Sequence, residues 1–231
     1  MLIDLHSHVL PGIDDGARSM EEARQTLQIA RAQGFEVIVV TPHFFPDGAG
    51  VQREQVLSAM KALEPEAEKL GIRLYPGMEC FYHTRLPVLL ESGEAMTLAG
   101  SRYALIEFEE DVSFRELRYG LSAVAECGCV PILAHYERYH CLMNRTSLRQ
   151  LKQEGALLQM NYDTIQRTYG PFGRNPFLGH IKKGMVDFMG SDTHGTHFRP
   201  LRTGPSVAWL RRGGFLEAMN QNAGRVLKDE Y

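Results

Sequence analysis

Apolar residues fall along this chain in short dense runs, separated by longer stretches in which they recur every three or four positions. The runs Leu2–Leu5, Glu36–Val40, Ile72–Tyr75, Tyr103–Glu107, Val130–Leu133, Ala156–Met160 and Val186–Met189 predict β-strands. Most are nearly continuous in apolar residues, as strands of a parallel sheet are when both faces are covered. The stretches between them predict helices. Ser19-Met20-Glu21-Glu22 reads as a capping box for a helix that runs to Gln33 and stops at Gly34. A second helix spans Val51 to Leu70, interrupted near Pro65 and ended by Gly71. Ser113 caps a third that reaches Cys127, Thr146 opens a fourth that stops at Gly155, and a shorter one covers Asn175 to Lys183. Two further patterns, Val207–Arg212 and Phe215–Lys228, close the chain.

Strand and helix thus alternate throughout, with no linker-like composition break and no short repeat. This predicts one domain over residues 1–231, an α/β fold closed or nearly closed into a barrel; an open, doubly wound sheet is the alternative. Hydrophobic residues make up 44% of the chain and charged residues 23%, enough for a full core. A net charge of -3 argues against a nucleic-acid partner, which favours a basic stripe. No apolar run is long enough to insert into a membrane, and the first residues carry no export signal, so the cytoplasm is expected. Cys80, Cys127, Cys129 and Cys141 form no Cys-x-x-Cys pair and read as free thiols.

The residues that follow the strands change the picture. His6, His8 and Asp14-Asp15 follow the first, His43 the second and Glu79 the third; Glu107 ends the fourth, His135 follows the fifth, and Asp192 and His194 follow the seventh. In an α/β barrel these carboxyl ends share one face, where the active site sits. One histidine or one strand-end aspartate has an ordinary structural explanation; convergence from six strands does not. Imidazoles and carboxylates are donors for zinc, manganese or iron, and this many exceed what one ion takes, so two or three ions fit. His83, His140 and His180 read as surface or structural residues, and His197 is open.

These residues also carry a resemblance. Asp4-Leu5-His6-Ser7-His8-Val9-Leu10-Pro11-Gly12-Ile13-Asp14-Asp15-Gly16-Ala17 resembles the opening of the bacterial capsule and exopolysaccharide tyrosine phosphatases of the PHP superfamily. Thr41-Pro42-His43, Gly77-Met78-Glu79, Leu105-Ile106-Glu107-Phe108, Ala134-His135-Tyr136-Glu137-Arg138 and Ser191-Asp192-Thr193-His194 agree in order and spacing. The resemblance implies a seven-stranded TIM-like barrel and a trinuclear centre, often of manganese, with iron and zinc as alternatives. It implies metal ligands at His6, His8, Asp15, His43, Glu79, Glu107, His135, Asp192 and His194. It implies phosphate-binding arginines at Arg138 and, beyond the last motif, Arg199. The implied substrate is the tyrosine-phosphorylated tail of a bacterial tyrosine kinase that controls polysaccharide export. One departure is Tyr136, where the family usually has proline.

Other chemistries fit less well. A cysteine-based phosphatase needs arginine six positions after its cysteine, whereas Arg85 follows Cys80 by five and Arg145 follows Cys141 by four. No Gly-x-x-x-x-Gly-Lys-Ser/Thr loop occurs. A PHP histidinol-phosphate phosphatase would share most of the ligands, a PHP nuclease would need a basic track, and a non-catalytic homologue would be expected to lack ligands. Aromatic residues crowd the same loops: Phe44, Phe45, Tyr82, Tyr136, Tyr139, Tyr162 and Phe198. Tyr136, directly after a ligand, is the first expectation for stacking against a phosphotyrosine ring.

Overall fold

The structure, a computed structural model, describes residues 1–48, 50–169 and 173–230. Nine strands occur among them: β1 (Leu2–Asp4), β2 (Phe35–Val40), β3 (His43–Phe44), β4 (Arg73–Pro76), β5 (Glu79–Phe81), β6 (Tyr103–Glu107), β7 (Val130–Leu133), β8 (Leu157–Asn161) and β9 (Phe188–Gly190). The helices are α1 (Met20–Ala32), α2 (Arg53–Lys69), α3 (Leu86–Ser92), α4 (Phe114–Glu126), α5 (Arg145–Gln153), α6 (Phe177–Lys182), α7 (Gly204–Arg212) and α8 (Leu216–Lys228).

All strand pairs are parallel. One sheet has the order β1-β2-β4; the other, β3-β5-β6-β7-β8-β9, curls into a half-barrel. Backbone bonds join the segment after the first strand to the segment after the last. Asp192 N–H donates to His6 O at 2.8 Å, His8 N–H donates to Thr193 O at 3.0 Å, and Ser7 bridges Thr193 in parallel. Thr41 N–H donates to Ser7 O at 2.9 Å, on the other side of the same segment. The Asp4 carboxylate accepts from Ser191 N–H at 2.8 Å; burial pushes its pKa up to about 6 despite that bond.

Alternation along the strands sorts two layers of core. Ile3 and Leu5, Val37 and Val39, Tyr103 and Leu105, and Ile132 and Ala134 cluster on one side with Ala223 and Val226 of α8. Their neighbours Ile38, Val40, Ala104, Ile106 and Leu133 pack the other way, with residues of α1, α2 and α4. This is the period of two expected of strands buried on both faces.

Each predicted strand has a counterpart, and the structure adds β3 and β5, which begin at His43 and Glu79. Neither is visible as an apolar run because each opens on a polar residue. The second predicted helix is not interrupted: Pro65 lies inside an unbroken α2. It sits on the exposed side, as does Lys61, whose carbonyl is the one deprived of a helical donor. Helix α3 was not foreseen; Pro87 is accommodated in its first turn, where no amide hydrogen is needed. Half of the expected Ser19 capping box forms. Ser19 Oγ accepts from Glu22 N–H at 3.2 Å, but the Glu22 carboxylate turns to Arg18 N–H at 3.0 Å and Thr196 N–H at 2.9 Å. It thereby fastens α1 to the loop after β9. Gly195 is required there: its φ is +80°, and a Cβ would lie 2.3 Å from Glu22 Oε1.

Candidate metal centre

All nine predicted ligands are brought together at the carboxyl ends of the strands, and both arginines lie beside them. Glu79, at the start of β5, is the hub. Its Oε2 lies 3.1 Å from His6 Nε2, 3.3 Å from His8 Nε2 and 3.2 Å from His43 Nδ1. Its Oε1 lies 2.8 Å from His135 Nε2, which is also 3.2 Å from Glu107 Oε1. Asp192 Oδ1 stands 3.6 Å from the Nε2 atoms of His6 and His8. Asp15 Oδ1 stands 3.3 Å from His194 Nε2 and 3.5 Å from His43 Nε2. The donors fall into three overlapping groups able to hold an ion: His8, Asp15, His43 and His194; His6, His8 and Glu79; and His43, Glu79 and Glu107. His83 and His140 are exposed and outside this cluster, as is His197.

Surrounding residues fix the rings. His6 Nδ1 meets Gln159 Oε1 at 3.1 Å and His8 Nδ1 meets Asp14 Oδ2 at 2.8 Å. Both partners accept, so each Nδ1 carries the hydrogen and each Nε2 keeps its lone pair. These lone pairs, 3.2 Å apart, both point at Glu79 Oε2, which has no hydrogen-bond partner and is buried. Three electron-rich atoms so placed require positive charge among them, and the donor set suits imidazole- and carboxylate-binding divalent ions. The surrounding carboxylates favour positive charge on two of the rings. Burial opposes the charge on His8, yet Asp14 and Glu79 raise its pKa well above the ordinary value. Burial likewise opposes charge on His135, while Glu107 and Glu79 push it up to about 10. Asp15, bonded to His194, falls to about 2, and Asp192 falls far below the carboxylate range against the effect of its burial, through His6 and Arg138.

Two candidate ligands have strained backbones. His135 has φ 27° and Asp192 φ 51°, left-handed values that cost a non-glycine residue on the order of 1–3 kcal/mol each. Gly190 lets the strands approach behind them; a Cβ there would lie 2.6 Å from His6 Cβ. Asp192 Oδ2 accepts from Arg138 Nη2, from Arg199 Nη1 at 2.8 Å and from Asn161 Nδ2 at 2.8 Å. The side chains of Arg138 and Arg199 are 22% and 35% exposed, so both guanidinium groups reach the mouth of the site.

Sequence reasoning missed Asp14, Gln159 and Asn161 as supports. Gln159 Oε1 also accepts from His135 N–H at 2.8 Å, and Gln159 Nε2 donates to Asn161 Oδ1 at 2.9 Å. The available signal was two amides at i and i+2 in an otherwise apolar strand. Asp14→Ala is expected to weaken metal binding ~10–100-fold, the usual effect of losing a residue that orients a ligand. Titration with manganese followed by elemental analysis checks this, and unchanged affinity would remove Asp14 from the site.

Tyr136 does not face the metal cluster, contrary to expectation. It is fully buried, packed edge-on against Phe177, with its hydroxyl 3.1 Å from His180 Nδ1. His180 is therefore structural, as read from sequence. Phe44, Tyr139 and Tyr162 are also buried, and Tyr82 stacks on Phe108. Phe45 remains: it is half-buried, stacks on the His43 ring and touches Phe81. It borders a cavity of 490 Å³ with Asp15, His43 and Gln55. Phe198 is 71% exposed, beside Arg199.

Fold and site together define a parallel α/β protein with a buried histidine–carboxylate centre suited to divalent metal. Within that class the chain belongs to the capsular polysaccharide synthesis CpsB/CapC family, whose sequence model matches residues 2–222. It is 32% identical to the tyrosine-protein phosphatase CpsB of Streptococcus pneumoniae over 209 residues, covering 86% of this chain and 85% of that protein. It is 26% identical to the tyrosine-protein phosphatase YwqE of Bacillus subtilis, covering 99% of this chain and 92% of that protein. The fold matches one from the crystal structures of YwqE and S. pneumoniae CpsB, described as unique metal-dependent tyrosine phosphatases, with a TM-score of 0.90 at 24% identity; the match covers 100% of this chain and 96% of the other.

Proposed function

We propose that this chain is a metal-dependent phosphotyrosine phosphatase serving capsule or exopolysaccharide assembly, with a tyrosine-phosphorylated bacterial tyrosine kinase as its substrate in the cytoplasm. The observation that carries this reading is the unpartnered Glu79 Oε2 facing the nitrogens of His6, His8 and His43. We further read the two sheets, with β2–β3 and β4–β5 each as one interrupted strand, as a seven-stranded barrel forming a single domain.

His6, His8, Asp15, His43, Glu79, Glu107, His135, Asp192 and His194 would hold two or three ions, manganese first, with iron and zinc as alternatives. Bound there, such ions supply Lewis acidity and lower the pKa of water. The chain's own groups do the rest. Arg138 and Arg199 grip the non-bridging phosphoryl oxygens through planar forks. Asp14, Gln159 and Asn161 hold His8, His6 and Asp192 in orientation, and Phe45 offers a face to the substrate ring. The leaving phenolate, with a conjugate-acid pKa of about 10, departs without a strong proton donor.

Phosphotyrosine peptide is accordingly expected to exceed phosphoserine peptide at least ~10-fold in kcat/KM, since an alkoxide is a much poorer leaving group. A parallel assay with histidinol phosphate completes the comparison. Equal efficiency on phosphoserine, or preference for histidinol phosphate, would replace the proposed substrate class.

A further inference from the structure

Two stretches of the chain carry only basic charge, although its net charge is -3. Arg138 to Gln153 and Arg174 to Val186 contain no aspartate or glutamate. They supply α5 and α6, and a cavity of 290 Å³ lies between these helices. Its rim carries Arg145, Arg149 and Lys183, all exposed, and no salt bridge reaches any of the three among the described residues. Arg145 and Arg149 stand one helical turn apart on the same face, where like charges repel. The walls are apolar: Met143, Leu148, Phe177 and Met185.

His180 forms part of the wall and connects the cavity to the catalytic end. Its Nδ1 lies 3.1 Å from the Tyr136 hydroxyl, which also reaches Met160 Sδ at 3.9 Å. Burial, with Lys183 and Arg145 nearby, lowers its pKa and keeps the ring neutral. Tyr136 directly follows the candidate ligand His135, so the side chains of these two neighbours link the cavity wall to the metal cluster.

A pocket with an aromatic and methionine-lined wall beneath three unpaired cations is complementary to an aryl phosphate. The ring packs against Phe177 and the methionine sulfurs, and the phosphate meets the arginines and lysine. We propose that this cavity is a second, non-catalytic phosphotyrosine pocket, which holds one phosphotyrosine of the substrate protein while another is hydrolysed. This rests on the phosphotyrosine reading of the active site given above. Two-point attachment raises the local concentration of the reacting residue without adding contacts at the metals.

The test compares peptides carrying one or two phosphotyrosines on the metal-loaded enzyme and on its Arg149→Glu/Lys183→Glu variant. Expected is a KM about tenfold lower for the doubly phosphorylated peptide with the wild type. The variant abolishes this advantage and leaves kcat/KM for the singly phosphorylated peptide unchanged. Equal KM values in the wild type, or an equal loss on both peptides in the variant, would overturn the pocket. So would full retention of the advantage when glutamate replaces the second phosphotyrosine. A calorimetric titration with a doubly substituted phosphonate mimic separates this from the active-site reading. If neither peptide is hydrolysed, mimic binding lost in the variant still supports the pocket, whereas binding equal in both proteins removes it.

Discussion

Prolonged chelation is expected to reduce hydrolysis of an aryl phosphate by ~10³-fold or more, and added manganese to restore it. The magnitude follows from the several kcal/mol of charge stabilisation that divalent ions supply in such centres, at about 1.4 kcal/mol per tenfold in rate. The structural warrant is the buried Glu79 carboxylate, whose Oε2 faces three imidazole nitrogens at 3.1–3.3 Å. Magnesium is expected to restore less, because it favours oxygen donors and this centre is rich in nitrogen. Glu79→Ala should lose bound metal and activity together, since Glu79 belongs to two of the three donor groups. Elemental analysis alongside the rate measurement decides the matter. Full activity in a preparation shown to contain no transition metal would end the metal-dependent reading.

Arg138→Ala is expected to keep its metal and lose ~10²–10³-fold in kcat/KM, the scale seen when one preorganised donor is removed from a developing negative charge. Arg138 and Arg199 converge on Asp192 Oδ2, with Asn161 as a third donor. Asp192 therefore retains two hydrogen-bond donors in the variant, which argues that the ligand stays in place. Arg199→Ala should have a smaller effect, because Arg199 is the more exposed of the two. Arg138→Lys helps to separate roles: it keeps the charge and loses the planar fork, so partial rescue points to phosphate binding through both. Wild-type efficiency in Arg138→Ala would refute the phosphate clamp, and loss of metal in that variant would reassign the residue to support of Asp192.

Much of this site was legible because parallel β/α chains place the residues after each strand on one face. Reading His6, Glu107 or Asp192 as a strand-end residue is enough to predict that they meet. What the strand pattern could not give is direction. Tyr136 follows a candidate ligand, yet the left-handed turn at His135 and the short 3₁₀ segment Tyr136–Arg138 send its ring into the core and Arg138 toward Asp192. Proline at position 136 would disfavour helical backbone at residue 135, so the tyrosine is compatible with the turn observed. Asp14 and Gln159 were missed for a related reason. Each acts through a hydrogen bond to another residue's ring, and such pairing has no fixed sequence spacing. The capping carboxylate of Glu22 was assigned to its own helix because local bonds are the default; a partner 174 residues away competed for it.

The junction of β1 with the segment after β9 also fixes when this centre can exist during synthesis. Its first two candidate ligands, His6 and His8, are held by backbone bonds to Asp192 and Thr193. A ribosome-bound chain that ends before residue 190 already contains seven of the nine candidate ligands, yet it lacks the segment after β9 that seats the first two. Until the last strand docks, those histidines and carboxylates are scattered donors on an unfinished sheet. Completion of the candidate metal centre is thus a late step in the life of each molecule, and a truncated product is expected to be metal-poor as well as inactive.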